Sequence, residues 1–380
     1  MGRDNVLADL ASSVDDMKAE IDEKQDKIQQ FLSGRPIDGL LVSRHENIAW
    51  ATAGTVDMRV GILRENAIGT LLFTRGGPSY YLTTNNEATR LEREEFAHLD
   101  YRAVVQPWYA KDVLSAARNI LGNCKIVADD PSSGTEVVSM QPLRLPLMDG
   151  EMLRYRWLGR AVAETVTDVL LELRPGMTEL EMQARVSRRL LAQNVLPSVF
   201  LTAVDDRIRN YRHAVPRRGI LERFGMLNLC ARRWGLTVSI TRYVHFGIMA
   251  QDLQDKFSAV AKVNAALLHA TQEGATADHL FRVAKDAYAG QGYLGQEEMH
   301  HQGGATGYTE REWVARPGGT EKVLAQQAFA WNPSLPGAKV EDTVVLSDGN
   351  IEILTGTPRL PVVTTPYMDS TYTSAGVLSV

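Results

Sequence analysis

The sequence predicts an α+β protein of two domains, an α/β domain at 1–148 and a larger domain at 149–380. Three observations predict it. Short β-rich runs alternate with helical segments in the first third of the chain. The stretch 129–149, DDPSSGTEVVSMQPLRLPLMD, is rich in Pro, Ser and Gly and keeps no period, which marks a boundary. Beyond it, the order helix, Gly-x-Thr break, helix occurs twice, each time leading toward a β-rich stretch, as a duplicated unit would.

Taken in order, Met17, Ile21, Ile28 and Leu32 recur at one or two helical turns and predict an amphipathic helix over 14–33. The runs IDGLLVS, IGTLLFT, SYYLTT and KIVADD read as strands, with helices at 85–94 and 111–121. After the boundary, Leu158, Val162, Val166, Val169 and Leu173 mark one face of a long helix that stops at Arg174-Pro175-Gly176. Thr178 and Glu181 then form a capping box, the hydroxyl accepting from the third amide while the carboxylate reaches back to the cap amide. The second copy runs as a helix at 254–271, a break at Gly274 and Thr276, and a helix at 278–290. The segment 227–247, LNLCARRWGLTVSITRYVHFG, reads as a strand, a tight turn and a second strand.

Composition narrows the function classes. At 380 residues and 44% hydrophobic, the chain can bury two cores. No apolar run approaches the roughly 18 to 20 residues that span a bilayer. The charged N-terminal segment does not resemble a signal peptide, so the expected location is the cytoplasm. Cys124 and Cys230 are far apart, which argues against a disulfide framework or a cysteine zinc site. A net charge of −5 without charge blocks leaves no footprint for nucleic acid or a membrane surface. The excess of arginine over lysine is that of a GC-rich bacterial genome.

The order of LRPGMTELE, DDRIRNYRHAVP, LNLCARRWGLTVSITRYVHFG, MHHQGGATGYTERE, AFAWNPS and KVEDTVVL resembles the pita-bread fold of creatinase, Xaa-Pro aminopeptidase and methionine aminopeptidase. The resemblance covers nearly the whole chain. It implies a creatinase- and prolidase-like N-terminal α/β domain and a pseudo-twofold pita-bread domain. The metallopeptidases of that family hold two metal ions with two Asp, one His and two Glu, because a close pair of dications needs anionic, bridging oxygens. Placed on this chain, those positions fall on Asn228, Ser239, Gly304, Asn332 and Glu341. One carboxylate with two amides and a hydroxyl does not hold two divalent ions. No dinuclear metal site and no cofactor are therefore expected, and a single zinc on His300, His301 and Glu341 is disfavoured because adjacent histidines on a strand face opposite ways.

The resemblance makes His213 of NYRHAVP the proton-transferring residue, a role suited to an imidazole that titrates near neutrality. It selects His300, four residues before Gly304, as a second site histidine. His301 is additional, and which of the pair faces the cavity is open. The missing side chain at Gly304 is expected to open space for a substrate group. Asn228, Ser239 and Asn332 would line a neutral, polar pocket that orients an amide or hydroxyl and disfavours a guanidinium. Glu341 is expected to have a raised pKa and to act as a general base, unless Lys339 or Arg242 pairs with it. Arg311 and Glu312 would fix a substrate carboxylate or close the pocket, with Arg242 also at the site. A nucleophilic role for Cys230 is disfavoured, since buried cysteines are usually inert.

The expected function is a metal-independent hydrolase acting on an amide or related C–N bond of a small amino-acid-like molecule, with His213 as acid and base and Glu341 assisting, in the specialised metabolism that suits metal-free members of such a family. Two alternatives stand beside it: a noncatalytic partner subunit, and a metallopeptidase of altered ligation. The resemblance implies a homodimer, or a heterodimer with a related chain.

Overall fold

Helix α1, Val14–Ser33, buries Ile21, Ile28 and Leu32, the stripe that its spacing predicts. The structure is a computed structural model that describes residues 14–62 and 64–380. The chain divides into two units, the second spanning Leu145–Val380, so the boundary falls inside the Pro-, Ser- and Gly-rich stretch and slightly before the 148/149 read from sequence.

The first unit carries a six-stranded mixed sheet of β1 (Gly39–Arg44), β2 (Asn66–Thr74), β3 (Ser79–Thr84), β4 (Tyr101–Gln106), β5 (Ile126–Ala128) and β6 (Glu136–Val137). Its order is β4-β3-β2-β1-β5-β6. Helices α2 (His45–Ala51), α3 (Asn85–Arg90) and α4 (Val113–Leu121) connect these strands. Ala116 and Ala117 of α4 pack on Leu41, Leu72 and Leu82 of the sheet.

The second unit begins with α5 (Asp149–Glu172) and α6 (Glu179–Leu191). Between them the predicted capping box forms: the Glu181 amide donates to Thr178 Oγ1 at 3.2 Å, and the Thr178 amide donates to Glu181 Oε2 at 2.7 Å. The second helix pair is α7 (Gln251–Ala270) and α8 (Ala277–Gly290), where the His279 amide donates to Thr276 Oγ1 at 3.1 Å. The duplication extends past the caps. Thr178 forms an isolated antiparallel bridge with Ile220 and Thr276 forms one with Lys322, so each cap is tied to a segment leading into its own sheet.

The first of those sheets is formed by β7 (Leu196–Phe200), β8 (Ala203–Val204), β9 (Phe224–Arg233), β10 (Leu236–His245) and a strand at Val377–Ser379. The second is built from β11 (Gly303–Thr306), β12 (Trp313–Val314), β13 (Gln327–Trp331), β16 (Asp342–Ser347) and β17 (Asn350–Ile353), with the two-stranded ribbon β14 (Ser334–Leu335) and β15 (Ala338–Lys339) beside it. Helices α7 and α8 cover a core that includes Tyr243, Phe257, Val260, Leu267, Leu280, Tyr288, Phe329 and Trp331. The sheets meet where Thr241 of β10 bridges Glu341, just before β16, and where Thr343 Oγ1 accepts from the Ser239 amide at 2.7 Å. The candidate site lies on that seam. No helix among the described residues is long and apolar enough to cross a membrane.

Candidate functional site

The β9/β10 hairpin turns at Trp234 and Gly235, both at positive φ, and pairs Arg233 with Leu236. That register puts Asn228 opposite Thr241 and Cys230 opposite Ser239. Directly opposed residues share a face, and alternation then turns Arg242 the other way. Asn228 Nδ2 donates to Thr241 Oγ1 at 2.5 Å and also to Glu341 Oε2, which Thr241 Oγ1 reaches at 2.7 Å.

Glu341 is the hub of the site. Lys339 Nζ lies 3.0 Å from Oε2, and Arg311 Nη2 lies 3.3 Å from Oε1, while Arg311 Nη1 also reaches Ser239 Oγ at 3.3 Å. Burial alone would push this carboxyl up, but Lys339, Arg311 and the Thr241 hydroxyl outweigh it and hold the pKa at about 2. The pKa is not raised, because Lys339 pairs with the carboxylate, which is the condition under which no general-base role was expected. Glu341 is a fixed counter-charge.

Three histidines gather beside it. The loop bearing His213 is pinned by Arg212, which donates to Ser334 Oγ at 2.9 Å and to Gln296 Oε1 at 2.5 Å. His213 and His300 meet Nε2 to Nε2 at 2.8 Å with their rings nearly perpendicular. His300 Nδ1 lies 2.6 Å from the His301 carbonyl, which only accepts, so that nitrogen carries the hydrogen and Nε2 is the acceptor. His213 therefore donates from Nε2, leaving the lone pair on its Nδ1 open. The rings of His300 and His301 stack at 4.3 Å, on a loop before β11 and not on a strand, so the opposite-face argument does not hold there. Gln302 holds the loop, donating to the His300 carbonyl and accepting from Tyr288 at 2.8 Å.

Partial desolvation of a ring that stays exposed, and then the Lys339 charge, lower the His213 pKa. Burial, again with Lys339 next, pushes His300 down to about 4, and burial followed by Arg311 pushes His301 to about 3. These shifts favour the neutral form of all three rings at pH 7. The sign of the linkage follows. Between the ordinary histidine value of 6.5 and these depressed values the unfolded chain binds protons that the folded chain refuses. Stability is therefore expected to fall as the pH drops from about 6.5 to about 4, and His300→Gln should flatten that fall in urea melts taken across the range.

Two sequence-predicted residues stand apart. Arg242 is fully buried on the opposite face of β10, bonded to Asp342 Oδ1 at 2.6 Å, Thr355 O at 2.7 Å and Thr357 Oγ1 at 3.0 Å. It holds the seam together and does not face the pocket. Glu312 is buried and accepts from the Tyr308 amide at 3.2 Å, closing the 307–312 turn. Asn332 is buried, its amide donating to Gln302 O at 2.9 Å, with no hydrogen-bond partner on Oδ1. Register places it opposite Glu341, one pair beyond Trp331 and Asp342. Cys230 Sγ lies 3.2 Å from Ser239 Oγ, and burial with the nearby Glu341 charge pushes its thiol to about 11, which leaves it inert.

Gly304 corrects another expectation. A β-carbon there would collide with the main chain of Trp313 and Val314 on β12, and one at Gly303, φ 107°, with that of Ala330 and Trp331 on β13. The place of the absent side chain is filled by backbone, so no substrate space opens there. Gly304→Ala is expected to cost about 1–3 kcal/mol in urea melts, and Gly304→His to recover no metal uptake by elemental analysis.

Residues 154–348, just over half of the chain, match the profile of metallopeptidase family M24. The chain belongs to that family. An Xaa-Pro dipeptidase of Pyrococcus horikoshii is 21% identical to this M24 protein over 89% of the chain and 98% of its own length. The structure of the dipeptidase PepE from Mycobacterium ulcerans superposes with a TM-score of 0.75 at 16% identity, covering 95% of this chain and 99% of the other. An Xaa-Pro dipeptidase from Bacillus anthracis superposes at 0.71 and 16%, covering 95% and 100%. These likenesses establish the prolidase-like pita-bread fold.

A dinuclear centre does not fit the donors this M24 chain offers. Two amides, a hydroxyl and a glycine occupy four of the expected positions, and the one carboxylate is already bonded to an ammonium and a guanidinium. Among the described residues no group of three or more His, Cys, Asp or Glu converges to hold an ion. The pocket is charged where sequence predicts a neutral one: Lys339 and Arg311 both converge on Glu341.

Proposed function

We propose that this M24 protein is a hydrolase of a C–N bond in a small, amino-acid-like molecule, working through the His213–His300 pair without a metal ion. The observation that carries the reading is the 2.8 Å contact between the two Nε2 atoms, extended by the His300 bond to a backbone carbonyl. Each link fixes the tautomer of the next. The open nitrogen, His213 Nδ1, takes a proton from water as its oxygen adds to the carbonyl carbon, and the same nitrogen returns the proton to the departing amine. The positive charge that forms on His213 is shared along the bond to His300. His300 is a positioning residue, His301 holds its plane by stacking, and Asn228 and Ser239 offer polar contacts to the bound molecule. The dipeptidase activity named for the family relatives supports hydrolysis at a C–N bond.

The test is amine release from a panel of dipeptides and N-acylated amino acids by chelator-treated protein. Release that survives chelation and depends on His213 is expected. Release that appears only when manganese, cobalt or zinc is restored, or no release from any member of the panel, rejects the reading.

A further inference from the structure

We infer that Lys339 and Arg311 together receive a carboxylate of the substrate, at the place where an M24 centre would hold its metal ions. The inference rests on the reading above that the pocket takes a small molecule, and it names that molecule's charge. The first argument is charge balance. Lys339 and Arg311 face a single carboxylate, Glu341, and their side chains are only 11% and 14% exposed. The other acids nearby are committed elsewhere: Glu310 to Ser198 at 2.7 Å and Arg232 at 3.4 Å, Glu312 to the Tyr308 amide, and Asp342 to Arg242. The thiol of Cys230 and the three imidazoles are neutral at pH 7. In the cluster of Lys339, Arg311 and Glu341 two cations thus face one carboxylate with little access to water, and a bound anion would be held by both.

The second argument is unused donors. Arg311 spends Nη1 on Ser239 Oγ and the Glu310 carbonyl and one Nη2 hydrogen on Glu341, while its buried Nε has no hydrogen-bond partner. Nε and Nη2 form the side-on edge of a guanidinium, which matches the two oxygens of a carboxylate. Lys339 uses one donor on Glu341 and has others to give. A carboxylate spanning the two would lie near His213 and His300, on which Lys339 is the strongest nearby charge.

The experiment compares two matched probes on the full chain by calorimetry at pH 7: N-acetylglycine, which carries the carboxylate, and N-acetylglycinamide, which does not. N-acetylglycine is expected to bind about tenfold or more tightly than the amide. Lys339→Gln and Arg311→Gln should each bring the ratio close to unity, and Arg311→Lys should restore part of it. Glu341→Gln, which frees both cations of their competing carboxylate, serves as the second variant, and it should raise the preference for N-acetylglycine. Equal affinity of the wild-type protein for the two probes, or binding of neither, overturns the inference. Turnover is not read here, so a carboxylate preference without hydrolysis leaves this site standing while the proposed activity fails. Hydrolysis without the preference does the reverse.

Discussion

His213→Ala is expected to lower turnover by about 10²- to 10⁴-fold with little change in KM, the loss usual when a positioned acid–base group is removed. His213 Nδ1 is the open nitrogen at the end of a bonded chain, whereas on the inference above substrate affinity would come from Lys339 and Arg311. Added imidazole should restore part of the rate. The pH profile gives a separate reading. The base must be neutral, so activity rises with pH through a pKa that lies below the ordinary 6.5. The acid limb should therefore sit lower than that of a free histidine, and Lys339→Gln, which removes the strongest nearby cation, should move it up. Turnover of His213→Ala within about threefold of wild type would sink the assignment.

The second large effect is on stability. Arg242→Ala is expected to cost about 3–5 kcal/mol, because it leaves the Asp342 carboxylate buried and unpaired. The same guanidinium also holds Thr355 and Thr357, so the segment after β17 loses its tie to β10. Replacing both partners, as Arg242→Met with Asp342→Leu, removes the uncompensated charge and should recover most of the loss. Urea denaturation of the three proteins decides it. A single-variant cost below about 1 kcal/mol would return Arg242 to the rank of a surface ion pair.

Much of this architecture was legible before any coordinates. The helix stripes, the Thr178 capping box, the Thr276 cap and the order of the motifs all depend on neighbours close in sequence, and those the chain states openly. Strand β4 was not read. Its burial runs buried, exposed, exposed, intermediate, exposed, intermediate, so YRAVVQ lacks the alternation that marks a half-buried strand. That Arg242 points away from the pocket is legible in the sequence: once the turn at Trp234-Gly235 fixes the register, Thr241 must face Asn228 and its neighbour must face away. The Glu341 pKa could not be read, because Arg311 reaches it from a loop thirty residues earlier and only the fold brings the two together. His300 and His301 were treated as strand residues, but β11 begins at Gly303. On a loop, adjacent side chains are free to stack.

The close approach of β11 to its two neighbours bears on how this chain could change by single mutations. An aspartate at 228 exchanges an amide for a carboxylate of the same size, and one at 239 adds a carboxylate to a buried serine position, both on strands that already point them inward. A histidine at 304 instead meets the Trp313 carbonyl at its first carbon and requires β12 to move before any ion is gained. A stepwise mutational walk back to a five-ligand centre would therefore meet a stability barrier at that residue, whatever had been restored elsewhere.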